Sequence, residues 1–336
     1  MQTILAIESS CDETAACVMD MDGTVRSNVI ASQIDIHARY GGVVPEIASR
    51  QHLLALPGVV RQALEQADVG MEHIDGFGVT YGPGLSGALL CGVNYAKGLA
   101  YAMDKPLLGV HHMEGHILAN HVTHRDLEPP YMCLVVSGGH TMLIHVPAPL
   151  TYRVLGQTRD DAAGEAFDKA ARALGLRYPG GPVLEQLART GDASAFSFTR
   201  PKLDTPYDFS FSGLKTAVIN RLHQAEMKGE TIEKADMAAS FQAAVIDFLL
   251  RGARKACRDT GCRTLSLVGG VCANGALREA AQQMARDEGL RLYLPDKGLC
   301  TDNAVMIAEA ARLHFLRGER SGWDLNAVPN LAFSQK

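Results

Sequence analysis

The 336-residue sequence predicts an α/β protein made of two copies of one unit that face each other across a cleft. Three observations carry that expectation. Residues 3–8, 14–19 and 25–32 read as consecutive strands, and 131–136, 142–146 and 151–157 repeat the arrangement. Each trio leads into helix, strand, helix, strand, so both halves share one order. Each copy also opens with a hairpin whose tip is small and polar, Ser9-Ser10-Cys11-Asp12-Glu13 in the first and Ser137-Gly138-Gly139-His140-Thr141 in the second. Such tips can present backbone N–H groups to a phosphate, although most are only turns.

In the first copy, Gly41-Gly42-Val43-Val44-Pro45-Glu46 opens a helical stretch to Leu56. Pro57 is expected to begin a second helix, ending near Ala67. A strand follows over 74–80, then a helix over 88–103 whose Gly92, Ala96, Gly98 and Ala100 permit close packing, then a strand over 107–110. In the second copy, a helix over 160–174 contains Glu165 and Asp168. A strand over 264–268 runs into the loop Gly269-Gly270-Val271-Cys272-Ala273-Asn274-Gly275, and a helix to Glu288 precedes a last strand over 290–294. Inserted pieces lie between: Gly180-Gly181-Pro182 before a short helix, Phe209 to Thr216 before another, and a mostly helical 233–258. Phe209 and Phe211 read as a packed anchor rather than a stacking platform. A final helix over 303–317 lies beyond the second copy and is expected to pack back onto the first. The expected lobes are therefore 1–125 completed by 301–336, and 126–300.

A composition of 47% hydrophobic and 21% charged residues is ordinary for a globular protein of this length. The eight cysteines (11, 17, 91, 133, 257, 262, 272 and 300) show no C-x-x-C spacing, so neither a disulfide framework nor a zinc ribbon is indicated. No basic leader and no 18-residue apolar window is present, and the expected setting is the reducing cytoplasm, away from membranes. A net charge of −5 gives no support to bulk nucleic-acid binding, so a polynucleotide substrate would need help from a partner. Arg251, Arg254, Lys255 and Arg258 read as a solvated helix face.

Five of the twelve histidines fall between residues 111 and 124. A helix starting at His112 places His112 and His116 at i and i+4, on one face. Two imidazoles so placed can share an ion, at about 2.0–2.1 Å for zinc; they can equally be surface or interface side chains. Glu114 lies about 200° round the helix from His112, which removes the general base that the metalloprotease pattern H-E-x-x-H requires. Asp302 is the candidate third ligand. Thr301 is read as the cap of a helix over 304–315, with Asp302 in its first turn, a position that also suits the helix dipole without any metal. Spacing alone does not bring residue 302 to residue 112.

The two hairpin tips, with Gly269-Gly270 and Asn274, resemble the phosphate and adenosine motifs of the actin, Hsp70 and sugar-kinase superfamily, which has ribonuclease H-like lobes. More narrowly, six motifs in order resemble the TsaD family of tRNA adenosine threonylcarbamoyltransferases: Glu8-Ser9-Ser10-Cys11-Asp12-Glu13-Thr14, Gly41 to Glu46, His112-Met113-Glu114-Gly115-His116, Ser137 to Thr141, Phe209 to Thr216 and Thr301-Asp302-Asn303. The resemblance implies transfer of threonylcarbamoyl from threonylcarbamoyl-AMP to N6 of the adenosine 3′ of the anticodon in tRNAs reading ANN codons. It implies one divalent metal on His112, His116 and Asp302, with Fe2+ favoured and Zn2+ allowed. It places substrate or nucleotide contacts, including those to ATP or ADP, on Val135, Val136, Ser137, Gly138, Gly139, Asp168, Gly181 and Asn274, and an acidic pair, Asp12 and Glu13, where a group assisting deprotonation of the acceptor amine would sit. Val135 stands where the archaeal and eukaryotic branch has a metal-binding tyrosine, which implies a bacterial-type centre with its remaining positions open. The implied partners are the paralogue TsaB, the ATPase TsaE and tRNA, the adenylate coming from a separate synthase. Two alternatives stay open. A phosphotransferase of the superfamily would open with Asp-x-Gly-Thr, a glycine that Glu8-Ser9-Ser10 lacks; an ATP-binding scaffold would keep its function without the metal ligands.

Overall fold

The computed structural model describes residues 1–199, 201 and 203–333; residues 200, 202 and 334–336, which fall within the two expected lobes, lie outside the described residues. The chain divides into two compact units, Met1–Asp126 with Thr301–Phe333, and Leu127–Cys300. In chain order the first unit contains β1 (Thr3–Glu8), β2 (Glu13–Asp20), β3 (Val25–Ser32), α1 (Ile34–Ala38), α2 (Pro45–Ala67), β4 (Gly76–Gly82), α3 (Ser86–Ala102), β5 (Leu107–His111) and α4 (His112–Thr123). The second contains β6 (Tyr131–Val136), β7 (Thr141–Ala148), β8 (Thr151–Gln157), α5 (Ala163–Ala173), α6 (Gly180–Ala188), α7 (Ser212–Lys228), α8 (Lys234–Thr260), β9 (Thr264–Val268), α9 (Gly275–Glu288) and β10 (Arg291–Tyr293). The chain then returns to the first unit as α10 (Ala304–Leu316).

Among the described residues each unit has one five-stranded sheet, ordered β3-β2-β1-β4-β5 in the first and β8-β7-β6-β9-β10 in the second. In both, the first strand pairs antiparallel with its successor and parallel with the fourth. The duplication expected from the strand order is therefore an identity of topology. Strands β1 and β6 are buried along their whole length, as central strands covered on both faces must be. The edge strand β5 is capped by the C-terminal segment, where the Ser321 N–H donates to the Leu107 carbonyl at 2.8 Å, which removes an open edge.

Four local expectations are corrected. Pro57 starts no new helix: α2 runs through it unbroken. A proline inside a helix costs about 3 kcal/mol, but Ala48, His52, Leu56, Val59, Val60, Ala63 and Ala67 form one buried stripe on both sides of it, and that burial overrides the local preference. Helix α5 starts at Ala163, not 160, because Asp160 caps α7 instead: its carboxylate accepts from the Phe211 and Ser212 N–H groups at 2.8 and 3.2 Å and from the Ser210 and Ser212 hydroxyls. Gly180 and Gly181 are inside α6 rather than ahead of it. The cap of α10 is Asn303, not Thr301.

The second unit is centred on α8, whose Met237, Phe241, Val245, Leu249 and Ala253 are buried in a core shared with α5 and β6. Phe209 and Phe211 are buried, with ring centroids 6.2 Å apart, so they anchor the segment before α7. Arg251, Lys255 and Arg258 pair with Asp247, Asp259 and Glu288 on an exposed face.

Candidate active site

In the first unit, β5 delivers the chain directly into α4. His111 is the N-cap, its Nδ1 accepting from the Met113 N–H at 3.1 Å. His112 and His116 follow one turn apart with ring centroids 4.7 Å from each other. Gly115 faces α10; a Cβ there would lie 2.8 Å from Ile307 Cδ1 and 3.2 Å from Met306 Cγ. That close helix packing brings the start of α10 to the histidines. Asn303 caps α10 by accepting from the Met306 N–H at 3.0 Å. Asp302, one residue before the cap and outside the first turn, places Oδ1 3.1 Å from His116 Nε2 and 3.5 Å from His112 Nε2.

One ligand atom from each of His112, His116 and Asp302 lies within 4.8 Å of the others. Two imidazole nitrogens and a carboxylate oxygen converging on one point fit a divalent transition ion and leave further coordination positions to water or substrate. Burial disfavours charge on His112, yet Asp302 and then Glu8 push its pKa up to about 9. Burial would raise Glu8, but His112 holds it below the ordinary carboxylate value. Glu114 takes no part: its Oε2 is 3.0 Å from His314 Nε2 on α10, while His314 Nδ1 is 2.7 Å from Glu319 Oε2.

This Glu114–His314–Glu319 link ties α4 to α10. Burial lowers the His314 pKa, but the bonds to Glu114 and Glu319 raise it above 6.5 on balance. A histidine whose folded pKa is raised contributes stability in full below its unfolded pKa, and loses it as pH climbs through the folded value. His314→Ala is expected to lower stability by about 1–3 kcal/mol at pH 6 and by less at pH 9, read from urea midpoints at the two pH values.

The acidic pair lies in the same unit, at the turn between β1 and β2. Glu13 accepts from the Ser32 hydroxyl at 3.1 Å, and the Asp12 carbonyl accepts from the Gln33 N–H at 3.0 Å. Burial, then the neighbouring Asp12 and Asp302 charges, push the Glu13 pKa up to about 9. The turn is held from behind by His52 of α2, which donates from Nε2 to the Cys11 carbonyl at 2.9 Å and accepts at Nδ1 from the Thr14 hydroxyl at 2.7 Å. Burial keeps this imidazole's pKa low, consistent with that neutral tautomer. His37 of α1 likewise accepts from the Val44 N–H at 3.2 Å, fixing the loop that enters α2.

In the second unit, Val135 and Val136 end β6, opposite Met142 and Thr141 of β7. The tip that follows closes through the Ser137 N–H donating to the His140 carbonyl at 2.8 Å and the His140 N–H donating to Ser137 Oγ at 3.0 Å. The Gly164 N–H donates to the Ser137 carbonyl, joining the tip to α5. Asp168 on α5 accepts with Oδ1 from the N–H groups of Gly180 and Gly181 at 2.8 and 3.1 Å, capping α6 from outside it. Glu185 on α6 accepts from the Gly275 N–H at 2.9 Å. Asn274 caps α9 by accepting from the Leu277 N–H at 2.9 Å and donates to Gln242 Oε1 at 2.8 Å. Tip, α5, α6 and the start of α9 are thus chained together.

Four glycines here, Gly138, Gly139, Gly181 and Gly270, have nothing within 4 Å of where a Cβ would stand, and none has a positive φ. Neither packing nor backbone conformation requires glycine at these positions, and the space beside the backbone is open at each. Gly269 differs, with φ +96° and the Val136 carbonyl oxygen 2.5 Å from a built Cβ.

The family profile described as "TsaD: tRNA N6-adenosine threonylcarbamoyltransferase" matches residues 24–309. The chain belongs to the TsaD family. Among TsaD relatives, the tRNA N6-adenosine threonylcarbamoyltransferase of Clostridium perfringens is 54% identical over 334 residues, covering 99% of this chain and 98% of that protein. The enzyme of the same name from Clostridium botulinum is 52% identical over the same span. Among solved structures, full-length HypF in its phosphate- and nucleotide-bound form aligns with a TM-score of 0.63 at 14% identity, over 94% of this TsaD-family chain and 56% of HypF. Component A of (R)-2-hydroxyglutaryl-CoA dehydratase from Acidaminococcus fermentans aligns with a TM-score of 0.53 at 13% identity, over 92% and 97%. At these identities the likeness establishes the fold, that of the actin/Hsp70-like ATPases. Sequence reasoning did not single out the sites of Glu8, His52 and Glu185. Only Glu8 carried a signal, an acidic residue ending an otherwise apolar strand.

Proposed function

We infer that this TsaD-family chain transfers the threonylcarbamoyl group of threonylcarbamoyl-AMP to N6 of the adenosine 3′ of the anticodon in tRNAs reading ANN codons. The full-length match to tRNA N6-adenosine threonylcarbamoyltransferases carries the reading. In the reaction the N6 nitrogen forms a bond to the carbamoyl carbon, the bond from that carbon to the phosphate oxygen breaks, AMP leaves with the electron pair, and N6 gives up a proton.

Gly138, Gly139, Gly181 and Gly270 leave backbone N–H groups room against the adenylate, as in other phosphate-cradling tips. Asp168 holds the start of α6 through Oδ1 and would set the position of this helix against the nucleotide. Asn274, whose amide is engaged by Leu277 and Gln242, shapes this site through the start of α9. Asp12 or Glu13, the acidic pair of the first hairpin turn, would take the proton that N6 gives up. His112, His116 and Asp302 would hold one divalent ion, Fe2+ in preference to Zn2+ by family resemblance. When bound, such an ion supplies Lewis-acid polarisation of a carbonyl oxygen. The test is nucleoside mass spectrometry of unmodified tRNA incubated with threonylcarbamoyl-AMP, the metal-loaded chain and its partners: threonylcarbamoyladenosine is expected, and its absence would overturn the assignment.

The partners fit the same reading: the paralogue TsaB, the ATPase TsaE, tRNA, and a separate synthase supplying the adenylate. Leu53 and Leu54 on α2 are 63% and 76% exposed and Leu90 on α3 is 41% exposed, apolar side chains that suit a heterodimer face. Leu53→Glu with Leu54→Glu is expected to weaken association with TsaB by at least about tenfold, measured by titration calorimetry. Eight free cysteines fit a reducing cytoplasm, and no helix among the described residues is long and apolar enough to cross a membrane.

A further inference from the structure

Glu8 is the last residue of β1, fully buried, and its carboxylate sits behind the candidate metal centre. Three donors converge on it. Oε1 accepts from the Ser10 N–H at 2.5 Å; Oε2 accepts from the Thr80 hydroxyl at 2.6 Å and faces His112 Nδ1 at 3.1 Å. The far nitrogen of the same imidazole, Nε2, faces Asp302. The geometry points to Glu8 as a positioning residue that selects the tautomer of His112: by holding the proton on Nδ1 it leaves the Nε2 lone pair for a divalent cation. This rests on the metal-centre reading above.

The argument is one of donor count. The Ser10 N–H can only donate, and a neutral imidazole carries one proton, so whichever group stands at Glu8 decides which nitrogen holds it. A carboxylate accepts from all three neighbours at once. An amide of the same shape cannot. If glutamine keeps its oxygen toward the Ser10 N–H, its NH2 faces Thr80 and Nδ1. Thr80 can turn its hydroxyl to accept, but Nδ1 accepts only when the ring proton has moved to Nε2, the nitrogen aimed at the cation. The Ser10 hydroxyl, 3.2 Å from Nδ1, is able to take the Nδ1 proton instead. His116 is not so held: its buried Nδ1 has no hydrogen-bond partner among the described residues. Any effect of Glu8 therefore acts through His112.

The experiment compares wild type, Glu8→Gln and Glu8→Gln/Ser10→Ala as full-length chains. Co2+ and Zn2+ affinities are measured by competition titration, metal content by elemental analysis, and the Co2+ d–d spectrum as a record of the ligand field. Loss of an outer-shell partner is expected to weaken metal binding about 10- to 100-fold, more in the double variant, with an altered cobalt spectrum and near-native far-UV circular dichroism. Wild-type affinity and an unchanged spectrum in both variants would overturn the assignment. Should Glu8→Gln fail to fold, long-range 1H–15N correlation on the zinc-loaded wild type decides: a proton on His112 Nδ1 is expected, and a metal-bound Nδ1 refutes it. A wild type that binds neither ion would bring down the metal centre and this inference together. Normal binding by wild type and variants alike would sink only the inference.

Discussion

Asp302→Ala and His112→Ala are each expected to reduce threonylcarbamoyladenosine formation by about three orders of magnitude, with little change in far-UV circular dichroism. Each variant removes one of three donors that stand within 4.8 Å of each other, and an electrophilic metal contributes several kcal/mol to a transition state in which charge builds on oxygen, at 1.4 kcal/mol per factor of ten. Asp302 is the cleaner of the two. It precedes the cap of α10, which is Asn303 accepting from the Met306 N–H, so its loss leaves that capping bond in place. His112 also faces Glu8 and Ser10, and its removal strands a buried carboxylate, so some loss of stability accompanies the loss of rate. Rates are to be read by nucleoside mass spectrometry under single-turnover conditions, with metal content measured on the same preparations. If both variants emptied of metal still matched wild type, the chemistry would lie away from these ligands and an ATP-binding scaffold would become the better description.

Two adjacent glycines should separate folding from ligand binding. Gly269→Ala is expected to destabilise the second unit by about 3–5 kcal/mol, because a side chain there meets both a positive φ and the backbone of β6, at 2.5 Å from the Val136 carbonyl oxygen. Rigid ladder backbone has little room to give. Gly270→Ala, with nothing within 4 Å of the new methyl, is expected to keep its urea midpoint yet weaken binding of an adenine nucleotide by at least about tenfold, as calorimetry would register. An unchanged nucleotide affinity in Gly270→Ala would mean that the open space at this glycine is not where the ligand approaches.

Much of the framework was legible because it rests on periodicities that burial imposes on any sequence. Strands 131–136, 151–157 and 264–268 have the boundaries that their apolar runs and polar flanks indicate, and the equal order of elements in the two halves is matched by equal sheet orders. Where reading failed, a long-range contact had replaced a local rule. Pro57 is a helix breaker by propensity, but the buried stripe of α2 continues across it. Asp160 looks like the first turn of α5 and instead caps α7 from 50 residues upstream. Thr301 is a good cap by type, yet Asn303 reaches the Met306 N–H and Thr301 supplies only a carbonyl, to Asn303 Nδ2 at 2.7 Å.

The candidate site divides in the same way. That His112 and His116 share a helix face follows from a spacing of four residues and needs nothing else. The direction of Glu114, away from both, follows from the same helical geometry. By itself the sequence determined the α/β class, the doubled unit, the paired imidazoles and, through six ordered motifs, the family. Only the tertiary structure decided that Asp302 reaches the histidines, through the close approach of α4 and α10 at Gly115, and that Glu8 stands behind His112. The reason is physical: a helix or strand advertises its own period in its residues, whereas a contact between positions 186 or 104 residues apart exists only once whole elements have packed, and no local pattern records which partner packing will supply.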